Sequence, residues 1–189
     1  MDFATFKSDW KFSDGTREAK TNSIILKIEE RTNIGLTVGG AIGYHFLSLD
    51  GHNGSDSTDF DVQNLEIYLR QEFALGDAVT LEGVLNYAWY TGEGDDDDDD
   101  GRPEIDWSEV GVEFGVNFRY RKLGITPFAS YTYVDGDTSG VDDGGGFELD
   151  DSFGQGVRFD IFVESTAFVS IELRTGSQTG GYIGFVRRY

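Results

Sequence analysis

The sequence predicts an all-β protein: a transmembrane antiparallel up-and-down β-barrel of about ten strands, with eight as the alternative count, formed by residues 1–189 as one domain. Three observations carry this. Apolar and polar residues alternate through about ten short segments. The connections between those segments alternate in length, and aromatic residues gather near the segment ends.

Segment 110–120 shows the alternation. Val110, Val112, Phe114, Val116, Phe118 and Tyr120 share one face, and Gly111, Glu113, Gly115, Asn117 and Arg119 share the other. Strands are expected at 3–12, 23–30, 34–47, 60–73, 79–91, 106–120, 125–134, 152–163, 167–175 and 181–189. Most have the roughly 9–11 residues that a tilted strand needs to cross a bilayer. Tight turns at 30–33, 74–78, 121–124 and 164–166 alternate with longer segments at 13–22, 48–59, 92–105 and 135–151. An even number of strands places both termini at the tight-turn end.

The apolar face is read as facing lipid. It takes in Phe6, Trp10 and Phe12 at the start, Ile34, Leu36, Val38, Ile42, Tyr44 and Phe46, the even residues of 110–120, and Ile183 and Phe185 at the end. Trp10, Phe12, Tyr44, Phe46, Tyr87, Trp89, Tyr131 and Tyr133 lie near the longer connections, and Phe73, Tyr120 and Tyr189 near the tight turns, as two membrane interfaces would select. Arg187 is the one charge on this face, near enough to the terminus to snorkel. Phe60 and Val62 are out of parity with Leu65 and Ile67, which predicts a bulge near 62–64. Pro127 predicts a bulge or a strand start. A soluble barrel with the greasy face inward is the alternative. The asymmetric connections and the glycines on the polar face argue against it.

The polar face is read as a narrow lumen crossed by ion pairs. Its acids are Asp9, Glu29, Glu66, Glu72, Glu82, Glu109, Glu113, Asp160 and Glu172, and its bases are Lys7, Lys11, Lys27, Arg70, Arg119, Arg158, Arg174 and Arg188. Buried charges need partners, and nine against eight is close to balance. The pairing network is expected from Glu66, Arg70, Glu82, Glu109, Glu113, Arg119, Arg158, Asp160, Glu172, Arg174 and Arg188.

The net charge is −20, and the stretches 48–59, 91–106 and 135–151 carry −18 of it. Such acidity argues against a nucleic-acid footprint, which wants basic residues. The run Asp95, Asp96, Asp97, Asp98, Asp99 and Asp100 is read as a hydrated loop with weak association of divalent cations, since six consecutive carboxylates lack the ligand spacing of a defined site. Through such cations the loops would bridge to lipopolysaccharide. There is no cysteine, so disulfides and thiol chemistry are excluded, and no cofactor motif is present. No run of about 18 apolar residues offers a membrane helix. A start Met after removal of a signal peptide fits the N-terminus.

Of the two histidines, His45 falls on the polar face and His52 in the next connection. With Ser48 and Asp50, either would mimic a rim-located catalytic pair. The expectation is instead a lumen hydrogen bond for His45 and a solvated His52, and no enzyme.

Three motifs carry a family resemblance. Ile125-Thr126-Pro127-Phe128-Ala129-Ser130-Tyr131 and Phe153-Gly154-Gln155-Gly156-Val157-Arg158-Phe159 resemble strands of the small outer-membrane β-barrel superfamily that includes the OmpA-type membrane domain. Tyr182 to Tyr189 resembles its C-terminal assembly signal, with Arg187 where an apolar residue is usual. The resemblance covers the last third and implies the outer membrane of a Gram-negative bacterium, with outer-membrane lipid and the assembly machinery as partners. A barrel of this size, filled by side chains, leaves no wide pore. The expected role is structural or surface-interacting, with a narrow channel for small solutes or an outer-membrane enzyme as alternatives.

Overall fold

The computed structural model describes residues 1–51, 57–94, 102–140, 145–164 and 167–187. Its strands are β1 (Asp2–Phe12), β2 (Gly15–Arg31), β3 (Leu36–Leu49), β4 (Thr58–Ala74), β5 (Val79–Gly94) and β6 (Glu104–Tyr120), then β7 (Leu123–Ser139), β8 (Gly146–Leu149), β9 (Phe153–Phe162), β10 (Ala167–Gly176) and β11 (Thr179–Arg187). Every pairing is antiparallel and the sheet closes on itself.

The closure happens twice. Near the termini, ten strands form the ring, with β9, β10 and β11 between β7 and β1. Toward the longer connections, the β10–β11 hairpin ends, and the four residues of β8 bridge β7 directly to β1. The barrel is therefore ten-stranded at the turn end and eight-stranded at the loop end. Both expected counts occur, at different heights.

Over the ten-stranded part, the outward side chains are large and apolar. Leu26, Ile42, Ile67, Leu69, Leu85 and Phe114 are all exposed. A water-facing surface would not carry such a belt, and lipid accounts for it. Inward at the same height stand most of the charges, with small residues and a few rings such as Phe6, Tyr68 and Phe128 among them. Glycine makes room for them: a Cβ on Gly39 would run into the Tyr68 ring, and one on Gly184 into the Asp2 carboxylate.

Over the eight-stranded part the faces exchange roles. Inward-facing Trp10, Phe12, Ala19, Leu47, Leu49, Phe60, Val62, Ile105, Trp107, Val134, Phe147 and Leu149 are buried as one cluster, with Tyr90 packed against it. Every strand of the upper ring contributes to it. Outward at this height stand exposed Asp59, Asp61, Glu93, Glu104, Asp106, Asp135, Asp137 and Glu148.

This inversion corrects several expectations. Phe6, Trp10 and Phe12 lie inside and not against lipid, while Lys7, Asp9 and Lys11 point outward. Phe3 is the lipid-facing aromatic of β1, because most of that strand stands above the belt. Phe60 and Val62 need no bulge. The β4 register runs unbroken against both β3 and β5, and these two residues simply enter the upper core. Residues 15–22 belong to β2, which turns back from β1 through Ser13 and Asp14 alone. Pro127 causes neither a bulge nor a strand start. The β6–β7 register is the same on both sides of it, with the ladder open only opposite Val116 and Asn117. The Asn117 side-chain amide donates to Thr126 Oγ1 at 2.7 Å and spans that gap.

The lipid belt yields a direct test. Phe114→Arg, on the outward face of β6, is expected to cost about 2–4 kcal/mol of unfolding free energy in lipid vesicles, and Asn22→Arg, outward near the belt's upper edge, about 0–1 kcal/mol. Urea titrations followed by circular dichroism measure both.

Candidate functional site

The lumen is the only interior the fold offers among the described residues, and its side chains form layers. In the ten-stranded part they surround a cavity of about 290 Å³. Its lining holds eight acids (Asp2, Glu29, Glu66, Glu82, Glu109, Glu113, Asp160 and Glu172) and four bases (Lys27, Arg70, Arg158 and Arg174). Among the described residues the expected near balance does not hold: Lys7, Lys11 and Asp9 face outward, and Arg119 stands at the turn end.

Two arginines on neighbouring strands organise the charge. Arg158 of β9 reaches Glu113 of β6 at 3.2 Å and Glu172 of β10 at 3.7 Å, and also pairs with Glu82 of β5. Arg174 of β10 donates from Nε to Glu172 at 2.8 Å and lies 3.6 Å from Glu113. These five residues tie β5, β6, β9 and β10 together across the interior. A guanidinium suits the task because its planar fork serves several carboxylates at once.

Smaller pairs complete the layer. Lys27 meets Asp2 at 2.9 Å, joining β2 to β1. Arg70 lies 3.6 Å from Glu29, which also accepts a hydrogen bond from the Tyr68 hydroxyl at 3.0 Å. Asp160 accepts from Ser170 at 2.8 Å. Glu66 and Glu109 face the cavity from either side of Ala88, with no ion pair to a described residue.

Arg119 is not part of this network. Its guanidinium stacks on the Phe162 ring at 4.1 Å, exposed at the turn end. Arg188, Asp95 to Asp100 and His52 lie outside the described residues.

Above the charges sits a hydrogen-bonded relay. The Ser23 hydroxyl donates to His45 Nδ1 at 2.6 Å, and His45 Nε2 donates to Asn64 Oδ1 at 2.9 Å. All three are buried. A serine, a base and an orienting amide resemble a nucleophilic arrangement. All three sit within strands paired on both sides, Ser23 between β1 and β3 and His45 between β2 and β4. His45 does not reach the rim: Ser48 lies on the outward face, and Asp50 is 3.4 Å from Lys20.

The third layer is the apolar cluster, which forms a plug. Trp10 of β1 stacks on Phe147 at 4.5 Å and meets Trp107 of β6 edge-on at 5.3 Å, while Tyr90 stacks on Trp107 at 4.3 Å. Arg17 covers its top, held by Asp14 at 2.7 Å and lying over the Phe12 ring. Aromatic pairs of this kind add about 0.5–1.5 kcal/mol each beyond the area they bury. Outside the barrel at this height, hydrogen bonding from Lys20 holds the Glu18 carboxyl below its ordinary range.

Sequence reasoning found the charges but not the plug. The signal was present: Ile105 and Trp107, Phe60 and Val62, Leu47 and Leu49, and Val134 all break the parity of their own strands near the longer connections.

Comparisons with known proteins agree with this architecture. Residues 3–159 match the family model of the autotransporter beta-domain. The translocator domain of the autotransporter NalP from Neisseria meningitidis superposes with a TM-score of 0.54 at 12% identity, covering 100% of this chain and 86% of that one. The transport unit of the autotransporter AIDA-I from Escherichia coli gives 0.53 at 9% identity, covering 100% and 89%. No curated protein matches. The OmpA-type resemblance of the last third reduces to what these proteins share, an outer-membrane β-barrel.

The charge network makes its own prediction. Arg158→Met leaves Glu82, Glu113 and Glu172 short of a counter-charge and is expected to destabilise by about 3–5 kcal/mol. Adding Glu82→Gln should recover part of that loss. A double-mutant cycle from urea unfolding in micelles measures the coupling.

Proposed function

We propose that this chain, which belongs to the autotransporter β-domain family, is a barrel closed to solutes that presents its loop end as an interaction surface. It is a bacterial outer-membrane protein. The observation that carries the reading is that the lumen is filled at two heights by different chemistry.

The plug draws side chains from all eight upper strands, and the charges below are pinned across the interior by Arg158 and Arg174. Solute passage would have to open both layers. Opening the upper one exposes several aromatic side chains at about 1.5–3 kcal/mol apiece. The loop end faces outward from the cell in this reading, with the termini on the inner side. The acid-rich outward surface at that end then meets the surroundings. No catalytic step enters the reading, because the His45 relay sits beneath the plug.

A second reading, favoured by the family match, is translocation of a segment, as the description of the NalP and AIDA-I domains implies for those proteins. It requires the plug to leave the interior while the ten-stranded part stays closed.

Planar-bilayer recording separates closed from open. The proposal predicts no steady single-channel conductance beyond brief flickers for the full chain. Sustained large conductance would overturn it. Trp10→Ala combined with Phe147→Ala, which hollows the plug, is expected to raise the frequency of openings.

A further inference from the structure

A groove of about 580 Å³ runs over the outside of β4, β5, β6 and β7, just above the lipid belt. Two cross-strand rows supply its outward lining. The lower row gives Leu65, Trp89 and Asp135, and the upper gives Gln63, Thr91, Asp106 and Asp137. Beneath them, Ile67, Tyr87, Val110 and Tyr133 belong to the lipid-facing surface. The floor is apolar. Leu65 and Trp89 are both half exposed, and the Trp89 ring stands edge-on to Tyr87 at 4.2 Å.

The charge around this groove is one-sided. Asp106, Asp135 and Asp137 are exposed, and none forms an ion pair with a described residue. On the opposite flank, Lys7, Lys11 and Lys20 are each matched to Glu18, Glu148 or Asp50. The bases of β1 and β2 are thus spent, and Arg102 above the groove is 3.5 Å from Glu93, while the groove itself has acids over an aromatic floor. Carboxylates beside an exposed indole face suit an ammonium or guanidinium group. Continuity with the lipid belt adds the second requirement, because an occupant here lies at the membrane surface with one side toward hydrocarbon.

We propose that this groove docks a cationic amphipathic peptide segment lying at the membrane surface. An apolar side chain of that segment enters against Leu65 and Trp89, and its lysine or arginine heads meet Asp106, Asp135 and Asp137. The inference rests on the surface-interaction part of the proposed function and does not depend on the state of the lumen.

The test uses the full chain refolded in neutral phosphatidylcholine vesicles, with protein-free vesicles as the blank. The probes are an amphipathic Leu/Lys peptide, a Leu/Glu peptide of the same pattern, and oligolysine, each titrated calorimetrically. The Leu/Lys peptide is expected to bind in a salt-sensitive manner, and more tightly than either control. Asp106→Asn, Asp135→Asn and Asp137→Asn together should weaken it about tenfold. Asp9→Asn, Asp50→Asn and Asp59→Asn remove the same charge away from the groove and should change binding by less than about twofold. Trp89→Ser should weaken the Leu/Lys peptide while leaving oligolysine unaffected. Equal losses from the two triple variants, oligolysine binding as tightly as the Leu/Lys peptide, or no binding above the blank would each overturn the proposal. A silent bilayer recording alongside any of those results leaves the closed barrel standing, so the two readings fail separately.

Discussion

A single constraint governs this molecule: the medium outside the barrel changes along the length of each strand. In hydrocarbon, apolar side chains belong outside, because a charge at mid-bilayer costs about 2–4 kcal/mol on an outward face. A few residues further on, water replaces lipid, and the same strands must turn apolar side chains inward and carboxylates outward. β4 carries the exchange without losing register, passing from Leu69, Ile67 and Leu65 outside to Val62 and Phe60 inside. The upper half is built like a soluble barrel and the lower half is its inverse.

The two interiors follow from that exchange. Side chains excluded from lipid fill the lower lumen, and charges there must find one another, as Arg158 and Arg174 do with Glu82, Glu113 and Glu172. Side chains excluded from water fill the upper lumen, and Trp10, Trp107 and Phe147 pack as they would in any core. The change from ten strands to eight, made by β8, narrows the ring where the filling is apolar. The two fillings thus follow from satisfying two solvents rather than from a separate device.

Most of the lower half was legible in the sequence, because its outward residues are apolar at a two-residue period, although Phe6, Val84 and Phe128 turn apolar side chains inward there. Segment 110–120 placed Phe114 outside and Glu113 inside, and the structure agrees. The lumen carboxylates and arginines came from the same parity. A strand here does not keep one apolar face along its length. Parity alone sends Trp10 and Phe12 to lipid and calls for a bulge at Phe60 and Val62, where the register is unbroken. β8 was invisible because four residues within an acidic, glycine-rich stretch give too short a pattern to register. Which arginine meets which glutamate was also beyond reach, since it depends on strand tilt and on how β9 and β10 are brought opposite β5 and β6.

The central claim is the exchange of faces, and the three tryptophans report on it directly. Trp89 faces outward at the top of the lipid belt, while Trp10 and Trp107 lie in the plug. In vesicles containing brominated lipid, a Trp10→Phe, Trp107→Phe variant keeps only Trp89, and its fluorescence should be strongly quenched. A Trp89→Phe variant keeps the plug pair, which should resist both brominated lipid and aqueous acrylamide. Quenching of the plug pair by brominated lipid, with Trp89 unaffected, would contradict the account.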